Sequence, residues 1–135
     1  MVGRILRSMR LAVLIALIVL SAEAATASPG GTRLRVAVRA SPNAPLRITT
    51  LRCDPPGGTV AQPALACRRL LTTGRAIFAP TPPNTACTQI YGGPQEALVT
   101  GTLRGGKVWA KFRRRDGCEI ARWNRVAFLL GQLQG

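Results

Sequence analysis

Four cysteines, Cys53, Cys67, Cys87 and Cys118, are the residues whose type and spacing bear most on chemistry. The sequence has no histidine, so neither a Ser-His-Asp nor a Cys-His arrangement can activate a nucleophile. No two cysteines form a CxxC, and without histidine the usual zinc ligand sets cannot be assembled. Past residue 27 the only serines are Ser28 and Ser41, and the only side-chain carboxylates are Asp54, Glu96, Asp116 and Glu119. Two carboxylates flanking one bond can hydrolyse a glycoside, but these four stand where turns and helix caps are expected. Neither a GxxxxGK[ST] phosphate loop nor a GxGxxG fingerprint occurs. These absences predict a protein that is not an enzyme and that uses no metal and no cofactor.

An even number of cysteines in a short exported chain reads as a disulfide framework. Four cysteines allow three pairings. Joining neighbours would close two loops of moderate size, each stabilising by roughly 3–4 kcal/mol in the chain-entropy model. Export is expected from the N-terminus, where MVGRILRSMR carries Arg4, Arg7 and Arg10 and an unbroken apolar run follows over Leu11 to Leu20. Ala25 and Ala27 then supply the small residues of a cleavage site. This is the three-part pattern of a secretory signal peptide, residues 1–27, with the cut after Ala27. The run is shorter than a membrane span requires. Residues 28–135 are therefore expected to form one secreted, extracellular domain with no membrane segment.

The chain counts 19 Lys and Arg against 5 Asp and Glu, a net charge of +14. Without the leader, 16 stand against 4, a net of +12. Such a charge attracts anionic partners without choosing among them, and its plainest reading is a solvated basic face. Arg113-Arg114-Arg115 is the densest basic run, and on a strand it reads as a charged edge that discourages aggregation. A nucleic-acid site would interleave basic residues with exposed aromatics. Only Trp109 stands near, so no specific nucleic acid is expected.

The elements that must position these residues follow from periodicity. RLRVAVRA, Arg33 to Ala40, alternates strictly, with Leu34, Val36 and Val38 on one face and Arg33, Arg35 and Arg39 on the other. LRITTLRC, Leu46 to Cys53, is β-branched and is expected to pair with it as a hairpin. DPPGGT reads as a loop without regular structure. Gln62 to Gly74 reads as a helix, with Pro63 in its first turn and Gly74 as its C-terminal cap. Ala66, Cys67 and Leu70 share its inner side with Leu71 beside them, and Arg68 and Arg69 face water. QEALVTGTL and VWAKFRRR, joined through Gly105-Gly106, read as a second hairpin. Val108, Ala110 and Phe112 face one way, Trp109, Lys111 and Arg113 the other. Glu119 to Arg125 reads as a short helix and VAFLL as a last strand. Trp109 and Trp123 are expected in the core or at an interface; Tyr91 differs, standing in the irregular segment beside a glycine pair, where its plainest role is to anchor the loop by packing. Together these elements predict an α+β sandwich.

The segment IFAPTPPNTACTQIYGGP, Ile77 to Pro94, fits neither period. Its prolines suppress helix, and its third cysteine ties it down beside residues that do no chemistry. An extended, tethered strand is what a protease binds as substrate. If that strand is held rigid, little ordering entropy is lost on binding. A cut bond is also resealed before its ends part. Tethering then turns a substrate into an inhibitor.

CDPPGGT (Cys53 to Thr59), PALACRRL (Pro63 to Leu70), ACTQIYGGP (Ala86 to Pro94) and GCEIARW (Gly117 to Trp123) together resemble the subtilisin inhibitor-like family of secreted serine protease inhibitors. The resemblance runs from about Leu34 to Leu130. It implies an α+β fold in which a five-stranded antiparallel sheet carries two helices packed on one face. It implies two disulfides, Cys53–Cys67 and Cys87–Cys118, and a homodimer formed through the sheet. It places the reactive bond two residues after the third cysteine, between Gln89 and Ile90. Gln89 would enter the specificity pocket, Thr88, Cys87 and Ala86 the preceding subsites, and Ile90 and Tyr91 the leaving-group side. The partner it implies is a secreted subtilisin-like or trypsin-like serine protease. Many members carry Met or Lys in place of Gln89, and Tyr-Asp-Pro where this chain has Tyr91-Gly92-Gly93-Pro94. The glycine pair predicts a looser loop. A reading from another class is a cationic secreted binding protein with the same fold, lacking inhibition and using Lys111, Arg113, Arg114, Arg115 and Arg122 on an anionic partner.

Overall fold

The computed structural model describes residues 30–132; the expected leader, residues 1–27, lies outside them. Among the described residues, five strands and two α-helices follow in the order β1 (Arg33–Arg39), β2 (Arg47–Cys53), β3 (Pro56–Gly58), α1 (Pro63–Thr73), β4 (Glu96–Leu103), β5 (Gly106–Phe112) and α2 (Gly117–Leu130). A 3-10 turn, Gly74–Phe78, follows α1. The strands form one antiparallel sheet in the order β3-β2-β1-β4-β5, so the α+β class and the five-stranded sheet are as expected.

Alternation decides which face of the sheet is buried. Leu34, Val36 and Val38 of β1 meet Leu51 of β2, Val99 of β4, and Val108, Ala110 and Phe112 of β5. The helices cover that face with Ala66, Cys67 and Leu70 from α1 and Trp123, Val126, Leu129 and Leu130 from α2. Val36, Leu70, Val99 and Val126 have no exposed surface, and burying a side chain of this size contributes about 1.5–3 kcal/mol. Leu71, expected on the inner side of α1, is instead 38% exposed, because it lies past the edge of the stripe that Ala66, Cys67 and Leu70 define.

The β4–β5 turn is tighter than expected. Leu103 pairs with Gly106, so the two-residue loop is Arg104-Gly105 and Gly106 already belongs to β5. Both loop residues have positive φ, 50° and 75°, the twist a two-residue hairpin requires. Arg104 adopts it with support: its N–H donates to Thr32 Oγ1 at 3.2 Å and its guanidinium to the Leu71 carbonyl at 2.8 Å.

Two expectations are corrected. DPPGGT is not wholly irregular: after the turn through Asp54-Pro55, Pro56–Gly58 pairs with β2 as the edge strand β3. An edge position tolerates proline because only one side of the strand is bonded. VAFLL is not a strand. It is the second half of α2, because Trp123, Val126 and Leu130 recur at helical spacing and all reach the core.

Among the described residues, no helix covers the other face of the sheet. β1 places Arg33, Arg35 and Arg39 there, and β2 adds Arg52. Lys107 and Lys111 come from β5, with Arg113 just beyond it. Against these seven cations stands one carboxylate, Glu96, a local net charge of +6. Trp109 projects from this face at 66% exposure and Ile48 at 44%. Among the described residues no helix is long and apolar enough to cross a membrane.

Candidate functional site

Ala79 to Gln95 leaves the 3-10 turn and reaches β4 without regular structure. Proline at 80, 82, 83 and 94 removes backbone donors and fixes φ, so the segment can neither coil nor pair along its length. Asn84 takes a left-handed turn with φ 63°, and Thr85 Oγ1 donates to the Pro82 carbonyl at 2.7 Å. From there the chain runs past Cys87 to Gly93.

Three attachments fix this run to the β5–α2 connection and the first turn of α2. The Cys87–Cys118 disulfide joins it to the first turn of α2, with a Cα separation of 5.4 Å. The Gly117 N–H donates to the Thr88 carbonyl at 2.9 Å, and the Gly92 N–H donates to the Arg114 carbonyl at 2.7 Å. The two bonds bracket Gln89, Ile90 and Tyr91, whose backbone groups have no partner among the described residues. Ile90 is 59% and Tyr91 67% exposed. The Tyr91 side chain is thus largely in solvent, next to Ile90 in the chain. Ala86, Thr88 and Gln89 are exposed too, and Cys87 is half-buried. Ala86 to Tyr91, the six expected loop residues, thus form one continuous irregular stretch in which every residue but Cys87 is exposed. Cys53–Cys67 is the second disulfide, tying the end of β2 to α1.

The support beneath the loop is itself built from local signals. Asp116 caps α2, its Oδ1 accepting from the Glu119 N–H at 2.9 Å, while Glu119 reaches back to the Arg115 N–H. The pair resembles a capping box, with the return bond made to the residue before the N-cap. It fixes the chain where Gly117 meets Thr88 and Cys118 meets Cys87. A Cβ on Gly117 would strike the Thr88 hydroxyl, so glycine lets α2 begin this close to the loop. A Cβ on Gly92 would stand 2.9 Å from the Ile120 side chain and 3.2 Å from Arg114 Cβ. Gly92 therefore permits close approach at a bonded position. Gly117, Gly92 and Asp116 were not singled out as loop supports in the sequence. The Asp-Gly-Cys-Glu run was the one readable signal.

Beside this support, Arg114 lies 5.9 Å over the Trp123 ring and Arg122 lies 4.9 Å over the Phe112 ring. Arg122 Nε also donates to the Ala79 carbonyl at 3.0 Å, holding the start of the loop. Burial lowers the Arg122 guanidinium from its ordinary value, Arg125 adds to this and Glu119 opposes it. Trp123 is buried as expected, but Trp109 is largely exposed. The basic residues considered together in the sequence do not share a surface. Lys111 and Arg113 belong to the open sheet face, whereas Arg114 and Arg122 pack on aromatic rings beneath the loop. Cys87, Asp116 and Cys118 bring three possible ligand atoms together, but both sulfurs are consumed in the disulfide, so no thiolate is available to a metal.

A family model described as subtilisin inhibitor-like matches residues 30–114. That is more than half of the chain, and the protein belongs to the subtilisin inhibitor-like family. The match ends before Cys118; the partner of Cys87 is known from the fold. No match was found among curated protein sequences. Among solved structures the chain is similar to Streptomyces caespitosus sermetstatin in complex with Bacillus licheniformis subtilisin, at 25% identity, covering 75% of this chain and 97% of that one with a TM-score of 0.49.

Proposed function

We propose that the protein is a secreted inhibitor of serine endopeptidases, acting through a substrate-like loop whose scissile bond is Gln89-Ile90. The observation that carries this reading is the exposed run Gln89–Tyr91, clamped on both sides by backbone bonds to Arg114 and Gly117 and by the Cys87–Cys118 disulfide, in a chain of this family. A subtilisin-like or trypsin-like enzyme would pair with the free backbone groups of the run as it does with an extended substrate. Gln89 would enter the specificity pocket, with Thr88, Cys87 and Ala86 before it and Ile90 and Tyr91 after it. Because the run is already ordered, little conformational entropy is lost on docking. If the bond is cut, the disulfide and the two bonds hold the new ends in place, and resealing competes with hydrolysis.

Secretion after removal of residues 1–27 supplies the oxidising setting that the two disulfides require. A homodimer through the open sheet face is the assembly that the resemblance implies. Here it would bring two faces of like charge together, so it is proposed to form only where salt or an anion screens them. The reading is tested by titrating the chain from Ser28 onward against subtilisin and trypsin at nanomolar enzyme. Stoichiometric loss of activity for either enzyme supports it; rapid digestion of the chain by both refutes it.

A further inference from the structure

The open sheet face has its own relief. A furrow of about 370 Å³ runs over β1, β2 and β4, lined by Arg33, Arg35, Thr50, Arg52, Thr100 and Gly101. Three guanidinium groups border it and no carboxylate does. A second depression of about 310 Å³ shares Arg35 and continues toward Lys111 and Glu96. Glu96 lies 3.4 Å from Arg39 and 3.6 Å from Arg113, so the cations at the loop end of the sheet are partly neutralised. Those at the other end are not. Same-face residues on a strand recur every ~6.7 Å, and the uncompensated charge therefore extends along the face away from the protease-binding loop.

We propose that this furrow binds a linear polymer of alternating phosphate and hydroxylated spacer, a polyol phosphate. Guanidinium forks pair with phosphate oxygens by two parallel hydrogen bonds. Thr50 and Thr100 flank Arg35 on the two neighbouring strands, and their hydroxyls match the polar spacer. Lys107 and Lys111 extend the track along β5. Single-stranded nucleic acid is the poorer fit, because it requires rings for its bases to stack on. Trp109 is the face's one aromatic, and Lys111 Nζ already lies 5.2 Å from its ring centroid. A second copy of the chain would meet the same charge. An inhibitor held this way keeps its loop free at the other end of the sheet, where it can meet proteases at a phosphate-rich surface.

The test is fluorescence anisotropy of labelled poly(glycerol phosphate) with the secreted chain. With about five phosphate contacts, binding is expected to weaken about 100-fold between about 50 and 200 mM salt. The Arg33→Gln/Arg35→Gln/Arg52→Gln variant should bind at least about 10-fold more weakly at the lower salt, and its salt slope should fall to about half or less. Arg35→Gln alone, at the residue both depressions share, should reproduce part of the loss if the triple variant is unstable. A charge-matched control, Arg68→Gln/Arg115→Gln/Arg125→Gln, should lose less than about 3-fold. Equal losses in furrow and control variants would reduce the effect to net charge and overturn the proposal. Tighter binding of oligo(dT) of equal phosphate number would assign the face to nucleic acid. Dimers that form at low salt and exclude the polymer would assign it to a second copy. Protease inhibition should be unchanged by the polymer and by the furrow variants, so this test and that of the inhibitory loop fail separately.

Discussion

At the scale of single residues, the proposed function gives Gln89 and Gly92 separable roles. Gln89 is exposed and bonded only by a long contact of 3.5 Å from its own Nε2 to the Cys87 carbonyl, so it is free to enter a pocket. Gln89→Lys should improve inhibition of trypsin by at least about 10-fold, and Gln89→Met should favour subtilisin, since a pocket contact of this kind is worth about 1–3 kcal/mol. Inhibition constants unchanged in both variants would place the reactive bond elsewhere. Gly92 does not touch the protease pocket in this reading; it lets the loop close on Ile120 and Arg114. Gly92→Ala should therefore destabilise by about 1–2 kcal/mol through overpacking, lowering Tm by about 5–10 °C, and should speed cleavage of the loop. Thermal denaturation and the hydrolysis rate measure the two effects.

At the scale of elements, the loop is held by the start of α2, and the disulfide there closes the longer ring. Cys87 and Cys118 are 31 residues apart and Cys53 and Cys67 are 14 apart, which in the chain-entropy model stabilises by about 4 and about 3 kcal/mol. Removing the first pair with Cys87→Ala/Cys118→Ala should leave the sheet and its helices folded but turn the loop into a substrate. Circular dichroism would show the retained fold and a protease digest the lost resistance. A folded variant that still resists turnover would show that the backbone bonds from Gly92 and Gly117 suffice. What the sequence reveals of the elements follows the same physics. β1 and the β4–β5 hairpin were legible because strict alternation has one reading. The end of α2 was not, because a short apolar run such as VAFLL suits a buried helix turn and a strand equally. β3 was hidden by its prolines and glycines. The loop's place came from the resemblance, whereas its clamps depend on Thr88 meeting Gly117 and Gly92 meeting Arg114, contacts across more than twenty residues that no local pattern announces.

At the scale of the whole molecule, charge and shape divide the protein into two ends and two faces. The helices cover one face of the sheet, and the other keeps seven cations against one carboxylate. Stacked sheets lie ~10 Å apart, about one Debye length at 0.1 M salt. Self-association through this face should therefore strengthen as salt rises from about 0.05 to 0.5 M, the reverse of an interface held by ion pairs. Sedimentation equilibrium across that range is the check, and a dimer equally firm at low salt would mean that the basic face lies outside the interface. The basic face and the loop were both visible as compositions in the sequence. That the uncompensated cations of this face lie at the end of the sheet away from the loop, with Glu96 pairing Arg39 and Arg113 nearest it, required the fold.

The most direct measurement is mass spectrometry of the mature chain incubated for hours with substoichiometric protease. A clamped, resealing loop predicts that the chain stays largely intact while activity is blocked, with one slow cut appearing between Gln89 and Ile90. Fast cleavage at several sites, or a first cut outside Ala86 to Tyr91, would contradict inhibition through this loop.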